Sequence, residues 1–270
     1  MLKTNKMKHS IPYFIIVVAL LVAACGPSDE DKARVKLNSA KQMLQKQDTT
    51  TALLTLDSIS GLYPEAQYSA NAAKNLAKDI RFEVMRHTEA DLDSTKLQIV
   101  DLEKNFVKEK TEFDRYQQYV HKRQTFKRAW DRSYIQVHLD ERGELYLSSN
   151  YHGENWLNHT GLRVYDSGDD AKTEVIPVGS TDNHRSDFME AKWEKVSYRN
   201  GKDNGVIEFI AQNVDRNLKA VFLGKEYYYI LLETYDKEAV RDALALSKAL
   251  KKKKRLEGEI KGLQKKLGIH

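Results

Sequence analysis

The chain of 270 residues contains a single cysteine, Cys25, and only four prolines. One cysteine cannot form an intrachain disulfide, which excludes the disulfide framework of many small secreted domains. The sequence also lacks a phosphate-binding glycine loop, a Gly-x-Ser-x-Gly motif and a His-Glu-x-x-His motif. We therefore expect a protein that is not an enzyme and that needs no cofactor.

A large excess of one charge sign is also missing. The formal net charge is +5, and Lys3, Lys6 and Lys8 at the extreme N-terminus account for three of these charges. The remaining chain has a net charge of only +2, which argues against a nucleic-acid-binding protein. Its 31% of charged residues and its few prolines favour long, solvated helices.

No apolar run is long enough for a membrane-spanning helix. The apolar segment from Ile11 to Ala24 contains Pro12 and Tyr13, and it is shorter than the stretch of about 20 residues that a membrane span requires. Lysines precede it, and small residues end it. This layout is typical of a secretory signal, so we predict that residues 1–24 are a signal peptide that is removed.

The residues Val22-Ala23-Ala24-Cys25 resemble the lipobox of bacterial lipoproteins. The resemblance implies that Cys25 carries acyl chains, is the first residue of the mature protein and anchors it to a membrane. Two lipid signals suffice for stable anchoring. The alternative is that Cys25 is a free or buried thiol beside a coincidental apolar stretch.

The four residues Ser28-Asp29-Glu30-Asp31 resemble the export signal that places Bacteroidota-type lipoproteins on the cell surface. No aspartate follows Cys25 directly, and such an aspartate commonly retains lipoproteins in the inner membrane. The resemblance implies an outer-membrane lipoprotein exposed at the surface. We predict that residues 25–32 form an acidic tether that carries this signal. The alternative is that these acids are only a solvated tether that caps the next helix, which leaves the periplasmic face open as the location.

Residues 33–88 are predicted to form a helical hairpin and a closing helix. The hairpin resembles one tetratricopeptide repeat, with residues of the expected sizes at Ala40, Ala52, Leu56, Ile59 and Pro64. An ordinary helical hairpin is the alternative. A single repeat does not bury a continuous core, so it must pack on another part of the chain or on a partner.

Two further helices are predicted, over 89–130 and 236–270, because apolar residues recur there at alternating spacings of three and four. We expect them to pair antiparallel as a stalk, with possible self-association as the alternative. In that register the basic run 251–255 faces Glu109, Glu112 and Asp114. A basic patch for nucleic acid or an anionic polymer is the other reading of this run.

Between 131 and 235 the apolar period changes to two, and turn signals such as Asn200-Gly201 separate seven or eight short segments. The pattern predicts an antiparallel β-sandwich or small barrel. The segments with strand-like patterns are 135–139, 145–147, 162–165, 173–178, 193–198, 206–210, 218–223 and 227–233.

One polar loop of this domain, 151–159, carries aromatic residues of the kind that grip a glycan or a partner protein. We take Tyr151, Trp156 and His159 as candidate contacts, with Trp156 plugging the end of the sandwich as the alternative. The spacing of the nearby acids and histidines matches no metal-ligand pattern, so no metal site is predicted; these residues are His152, His159, Asp182, His184 and Asp187.

The predicted fold is α+β: an N-terminal helical hairpin and a long antiparallel helix pair that flanks a β-sandwich-like domain. The predicted function is to present this domain to an envelope or extracellular protein or glycan, without catalysis. Two alternatives remain. An envelope assembly accessory factor facing the periplasm would need an open apolar groove on residues 33–88. A hydrolase would need ionisable residues clustered in a β-domain cleft.

Overall fold

A computed structural model describes residues 26–112, 114–124 and 131–269. Its α+β architecture agrees with the prediction. Five helices are described: α1 (Asp29–Gln45), α2 (Thr49–Leu62), α3 (Gln67–Glu103), α4 (Val206–Gln212) and α5 (Thr234–Leu267). The ten described strands are β1 (Phe106–Glu109), β2 (Gln118–His121), β3 (Tyr134–Asp140), β4 (Leu145–Gly153), β5 (Gly161–Tyr165), β6 (Asp170–Lys172), β7 (Asn183–Phe188), β8 (Ala191–Tyr198), β9 (Lys219–Leu223) and β10 (Tyr227–Leu231).

The chain divides into two compact units. The first contains the described residues up to His87 and those from Gly262 onward; the second spans Thr88–Lys261. In the first unit α1 and α2 form the predicted hairpin, and small and branched side chains fill its interface. Four of the five positions that resemble a tetratricopeptide repeat are buried there: Ala40, Ala52, Leu56 and Ile59.

The N-terminus of α1 shows that the tether is shorter than predicted. Ser28 is the N-cap, and its Oγ accepts the N–H of Asp31 at 3.2 Å. Asp29, Glu30 and Asp31 already form the first helical turn, where acids favour the positive end of the dipole. The tether prediction for 25–32 is therefore wrong from Asp29 onward, because the acids are good first-turn residues.

The predicted helix over 89–130 is wrong beyond Glu103. Helix α3 is continuous through the predicted boundary at 88, and β1 and β2 follow it. Phe106 and Val120, read as members of a helical seam, instead lie in paired strands, with Phe106 opposite His121 and Val107 opposite Val120. Their spacing fits a helical seam, but a turn at 104–105 starts a new period. Residues 125–130 of the prediction lie outside the described part of the chain.

Strands β1 and β2 also move the start of the β domain from 131 to Phe106. One sheet has the order β1-β2-β3-β4-β8-β7, and the other has the order β10-β9-β5-β6; all neighbours are antiparallel. Buried residues of both sheets, α4 and α5 form one core. The two predicted strands over 173–178 and 206–210 are absent, because the first segment is irregular and the second forms α4. Strand β7, in contrast, was not predicted.

Helix α5 confirms the C-terminal helix prediction and packs against α3. Within the second unit, Leu92 of α3 forms a small cluster with Leu256 and Ile260, while Asn105 donates to Asp242 at 2.9 Å. Helices α3 and α5 therefore run antiparallel, as predicted. The register differs from the predicted one, in which the basic run 251–255 faces Glu109, Glu112 and Asp114, because Leu256 packs against Leu92 of α3 and Glu109 lies in β1.

Candidate functional site

A buried polar network links strands β4 and β8 with the loop that precedes β5. Oγ of Ser149 lies 2.9 Å from Nε2 of His159, and Nδ1 of His159 lies 2.7 Å from Oε2 of Glu194. Ser149 and His159 are completely buried, and Glu194 is 2% exposed. Ser149 belongs to β4 and Glu194 to the neighbouring β8, where strand alternation turns both side chains toward the core.

The order serine, histidine, carboxylate is that of a nucleophilic triad. Here, however, Oγ of Ser149 also contacts the hydroxyl of Tyr198 at 2.9 Å, and Tyr198 is fully buried. A reacting carbonyl would need to reach Ser149 from a cleft, and none of the described clefts is lined by it. This arrangement fits a structural network better than an open active site.

Glu194 connects the buried network to the backbone of the 151–159 loop. Its Oε1 accepts the backbone N–H of Asn158 at 2.7 Å, and its Oε2 accepts the backbone N–H of His159 at 2.9 Å. Burial raises its pKa, but the hydrogen bonds from the His159 ring and these two amides outweigh burial and lower the pKa overall. An ionised carboxylate in the interior thus holds the end of the 151–159 loop.

This placement corrects two of the predicted contact residues. His159 is inside the protein, and Tyr151 is only 8% exposed, with its hydroxyl donating to the carbonyl of Asn155 at 3.1 Å. Trp156 is partly exposed and two cations contact its ring, with Arg185 at 5.2 Å and Lys192 at 5.4 Å from the ring centroid. Of the three predicted contacts, only Trp156 presents surface to a partner.

The acids and histidines considered as metal ligands do not converge. His152 packs on Trp193 at 4.4 Å, His184 is exposed, and Asp187 pairs with Lys192. Within the described ranges no three histidine, cysteine, aspartate or glutamate side chains form a possible metal-binding group.

A polar cleft of about 270 Å³ at one end of the six-stranded sheet was not predicted. Tyr146 forms part of its wall, stacked on His138 at 4.5 Å and covered by the Arg199 guanidinium at 4.0 Å. Tyr116 lies on another part, with the Arg142 guanidinium 3.7 Å from its ring centroid. The full lining is Asp114, Arg115, Tyr116, Gln118, Asp140, Arg142, Glu144, Leu145, Tyr146, Arg199 and Asn200.

Most charges in the cleft are held in place by internal partners. Asp140 accepts two hydrogen bonds from the Arg142 side chain, at 2.8 and 2.6 Å, and Arg199 pairs with Asp182 at 3.2 Å. Arg115 differs, because it is exposed and no carboxylate of the described residues lies within ion-pair distance of it. Its guanidinium lies 5.3 Å from the ring centroid of Tyr116, so the cleft offers a ligand one guanidinium without a carboxylate partner beside several fixed donors and acceptors.

Sequence reasoning missed the cleft because it assigned Asp114 to Gln118 to a helix. Arg115, Tyr116 and Gln118 instead reach it from the β1–β2 connection and the start of β2, while Tyr146 and Arg199 come from β4 and the end of β8. The one available signal was the polar alternation of Arg142, in the β3–β4 turn, with Glu144 and Tyr146.

Cys25, the predicted lipidation site, lies outside the described residues. The proposed sorting residues Ser28 to Asp31 are described, and Glu30 is engaged within the first unit: its Oε1 accepts the backbone N–H of Ser69 at 2.9 Å and the hydroxyl at 2.5 Å. Glu30 thus caps the N-terminus of α3 while it belongs to α1.

No protein-family model, curated protein or solved structure matches the chain. None of the helices in the described part has an apolar stretch long enough to cross a bilayer.

Proposed function

We propose that the protein is an outer-membrane lipoprotein, anchored through Cys25 at the cell surface, whose β domain binds a glycan without transforming it. The observation that supports binding best is the polar cleft at Tyr116 and Tyr146. Hydroxyl-rich ligands need both donors and acceptors at fixed positions, and guanidinium, amide and carboxylate groups supply them here. An apolar ligand would leave these groups unpaired.

Arg115 is the residue to change first, because it is exposed and no described carboxylate depends on it. We expect Arg115→Gln to weaken binding of purified envelope polysaccharide about tenfold, which corresponds to about 1.4 kcal/mol. Exposed Lys172→Gln, on the other sheet, is the matched control. Equal binding by both variants and the unchanged chain, measured by calorimetry, would remove the cleft from the proposal.

Protease treatment of intact cells tests the location. At the surface, the β domain should be digested in cells that produce the unchanged protein. Protection would instead favour the envelope assembly factor that faces the periplasm. That alternative has limited support: the first unit exposes Val35 and Tyr68, but a groove beside α2 and α3 is lined by Lys74, Lys78 and Arg81 as well as apolar groups.

A hydrolase is the second candidate, and only Ser149, His159 and Glu194 favour it. A fluorophosphonate probe tests it directly, because the probe labels activated serines. We expect no labelling of the folded chain, since Ser149 is buried and already bonded to Tyr198. Labelling that Ser149→Ala abolishes would establish the hydrolase instead.

A further inference from the structure

The two sheets have four edges, and three are unsuited to pairing with another strand. Strand β1 carries Lys108 and Glu109, β7 carries charges along its length, and β6 has only three residues, two of them charged. Charges and short length are the usual means by which proteins block edge-to-edge association. Strand β10 has neither: its five residues, Tyr227 to Leu231, include no charge.

The hydrogen-bond pattern of β10 leaves its outer side open. The N–H of Leu232 donates to the carbonyl of Leu218 at 2.9 Å, and the N–H of Gly224 donates to the carbonyl of Glu226 at 3.2 Å. Bonding alternates along an antiparallel pair, so even-numbered residues face β9. Tyr227, Tyr229 and Leu231 consequently direct their N–H and C=O groups toward the free edge.

The same three residues present large exposed side chains on one face of the sheet. Tyr227 is 64%, Tyr229 56% and Leu231 65% exposed. An edge that combines open backbone groups with this much apolar surface is a template for β-strand addition.

We propose that β10 pairs antiparallel with β10 of a second copy of this chain, with the two-fold axis at Tyr229. In this register Tyr227 lies opposite Leu231 of the second copy, and every outward N–H and C=O of the three residues has a partner. Continued past the strand ends, the same register would bring Lys225, in the turn before β10, toward Glu233, just after β10, of the second copy, so the flanking charges are complementary. Both side chains are exposed, although Glu233 also accepts a hydrogen bond from Arg132 at 3.0 Å.

Charge complementarity at the strand ends is the reason to assign a second copy instead of an unrelated extended peptide. The resulting sheet would have eight strands, and the dimer would carry two polar clefts and two Cys25 anchors. Paired sites raise the apparent affinity for a repetitive ligand such as a polysaccharide. The pairing itself does not depend on what the cleft binds.

Disulfide trapping tests the register. The mature chain, residues 25–270 with Cys25→Ser, has no other cysteine. Tyr229→Cys would place two sulfurs on either side of the axis, with Cα atoms about 5.5 Å apart. Tyr227→Cys is the matched control, on the same face but about 14 Å from its copy at 3.4 Å per residue.

We expect Tyr229→Cys to form the disulfide-linked dimer at least about ten times faster than Tyr227→Cys, since only the former meets the geometric requirement. Light scattering should show a dimer that Tyr229→Lys converts to a monomer with an unchanged circular dichroism spectrum. Equal trapping rates, or a dimer that persists in Tyr229→Lys, would overturn the proposal in favour of association through the helices. A monomer that sediments with lipid vesicles would overturn it in favour of a membrane surface.

Discussion

Nδ1 of His159 and Oε2 of Glu194 lie 2.7 Å apart, and neither side chain is reached by solvent. The carboxylate also accepts two backbone N–H groups, so three donors compensate its burial. A buried charge is tolerated when hydrogen-bond partners compensate it. Removal of one partner leaves the remaining buried groups without compensation for their lost hydration, which destabilises the fold. This pair joins the loop after β4 to strand β8.

Replacement of this carboxylate by an amide should be strongly destabilising. We expect Glu194→Gln to lower the free energy of unfolding by about 3 kcal/mol, since the amide cannot accept all three donors. Urea unfolding measures the loss. Glu154→Gln, an exposed change in the same loop, should cost less than about 0.5 kcal/mol. Similar effects of the two variants would contradict the structural role of Glu194.

Acid should destabilise the protein through His138 before it affects Glu194. Burial, together with Lys195 and Arg199, holds the pKa of His138 well below its ordinary value of 6.5. Below pH 6.5 the unfolded chain binds a proton that the folded chain does not, so stability falls by at most about 1.4 kcal/mol per pH unit. His138→Gln should reduce this slope between pH 6.5 and 5.5.

Urea midpoints at several pH values measure the slope, with exposed His184→Gln as the control. An unchanged slope in His138→Gln would show that another group is responsible. The carboxylate of Glu194, whose pKa is lowered, contributes stability above its ordinary value of 4.5 that is lost only at lower pH. The two effects therefore separate on the pH axis.

Gly143, in the turn between β3 and β4, should not tolerate a side chain. Its φ is +83°, and a Cβ would lie 3.0 Å from the carbonyl oxygen of Ser247 in α5. The backbone conformation alone costs about 1–2 kcal/mol for Gly143→Ala. Gly201→Ala is the matched control, with φ +79° and open space around the added carbon. Thermal unfolding should show a clearly larger loss at Gly143; equal losses would mean that α5 yields at this contact.

Changes in the proposed sorting segment, Ser28 to Asp31, need separate controls for folding. Ser28→Ala removes an N-cap and should cost about 1 kcal/mol, and Glu30→Ala removes the cap of α3. Glu30→Gln retains an oxygen that can accept the N–H of Ser69. If an acidic residue directs export, Glu30→Gln should be protected from protease on intact cells while unfolding at the temperature of the unchanged protein. Digestion equal to the unchanged protein would show that the charge of Glu30 does not direct export.

The sequence predicted the hairpin, the C-terminal helix and most strands, because these segments have one continuous period. The helix prediction failed after Glu103. The spacing of Phe106 and Val120 fits a helical seam, although Phe106 lies in β1 and Val120 lies in the neighbouring strand β2. The prediction for His159 also failed, since the type of a residue in a polar loop does not reveal that Glu194, 35 positions away, will bury it. The first of these errors also hid the cleft, because Arg115, Tyr116 and Gln118 reach it from the β1–β2 connection and the start of β2.

Because Ser28 caps α1, only a very short linker separates Cys25 from the first helix. If Cys25 sits at the bilayer surface, the three residues to Ser28 can extend only about 10 Å. A receptor that recognises Ser28 to Asp31 as an extended peptide would then have to act before α1 forms, or unwind its first turn and release Ser69 from Glu30. Export and folding would thus compete for the same four residues, and the order of the two events would determine where the protein is finally located.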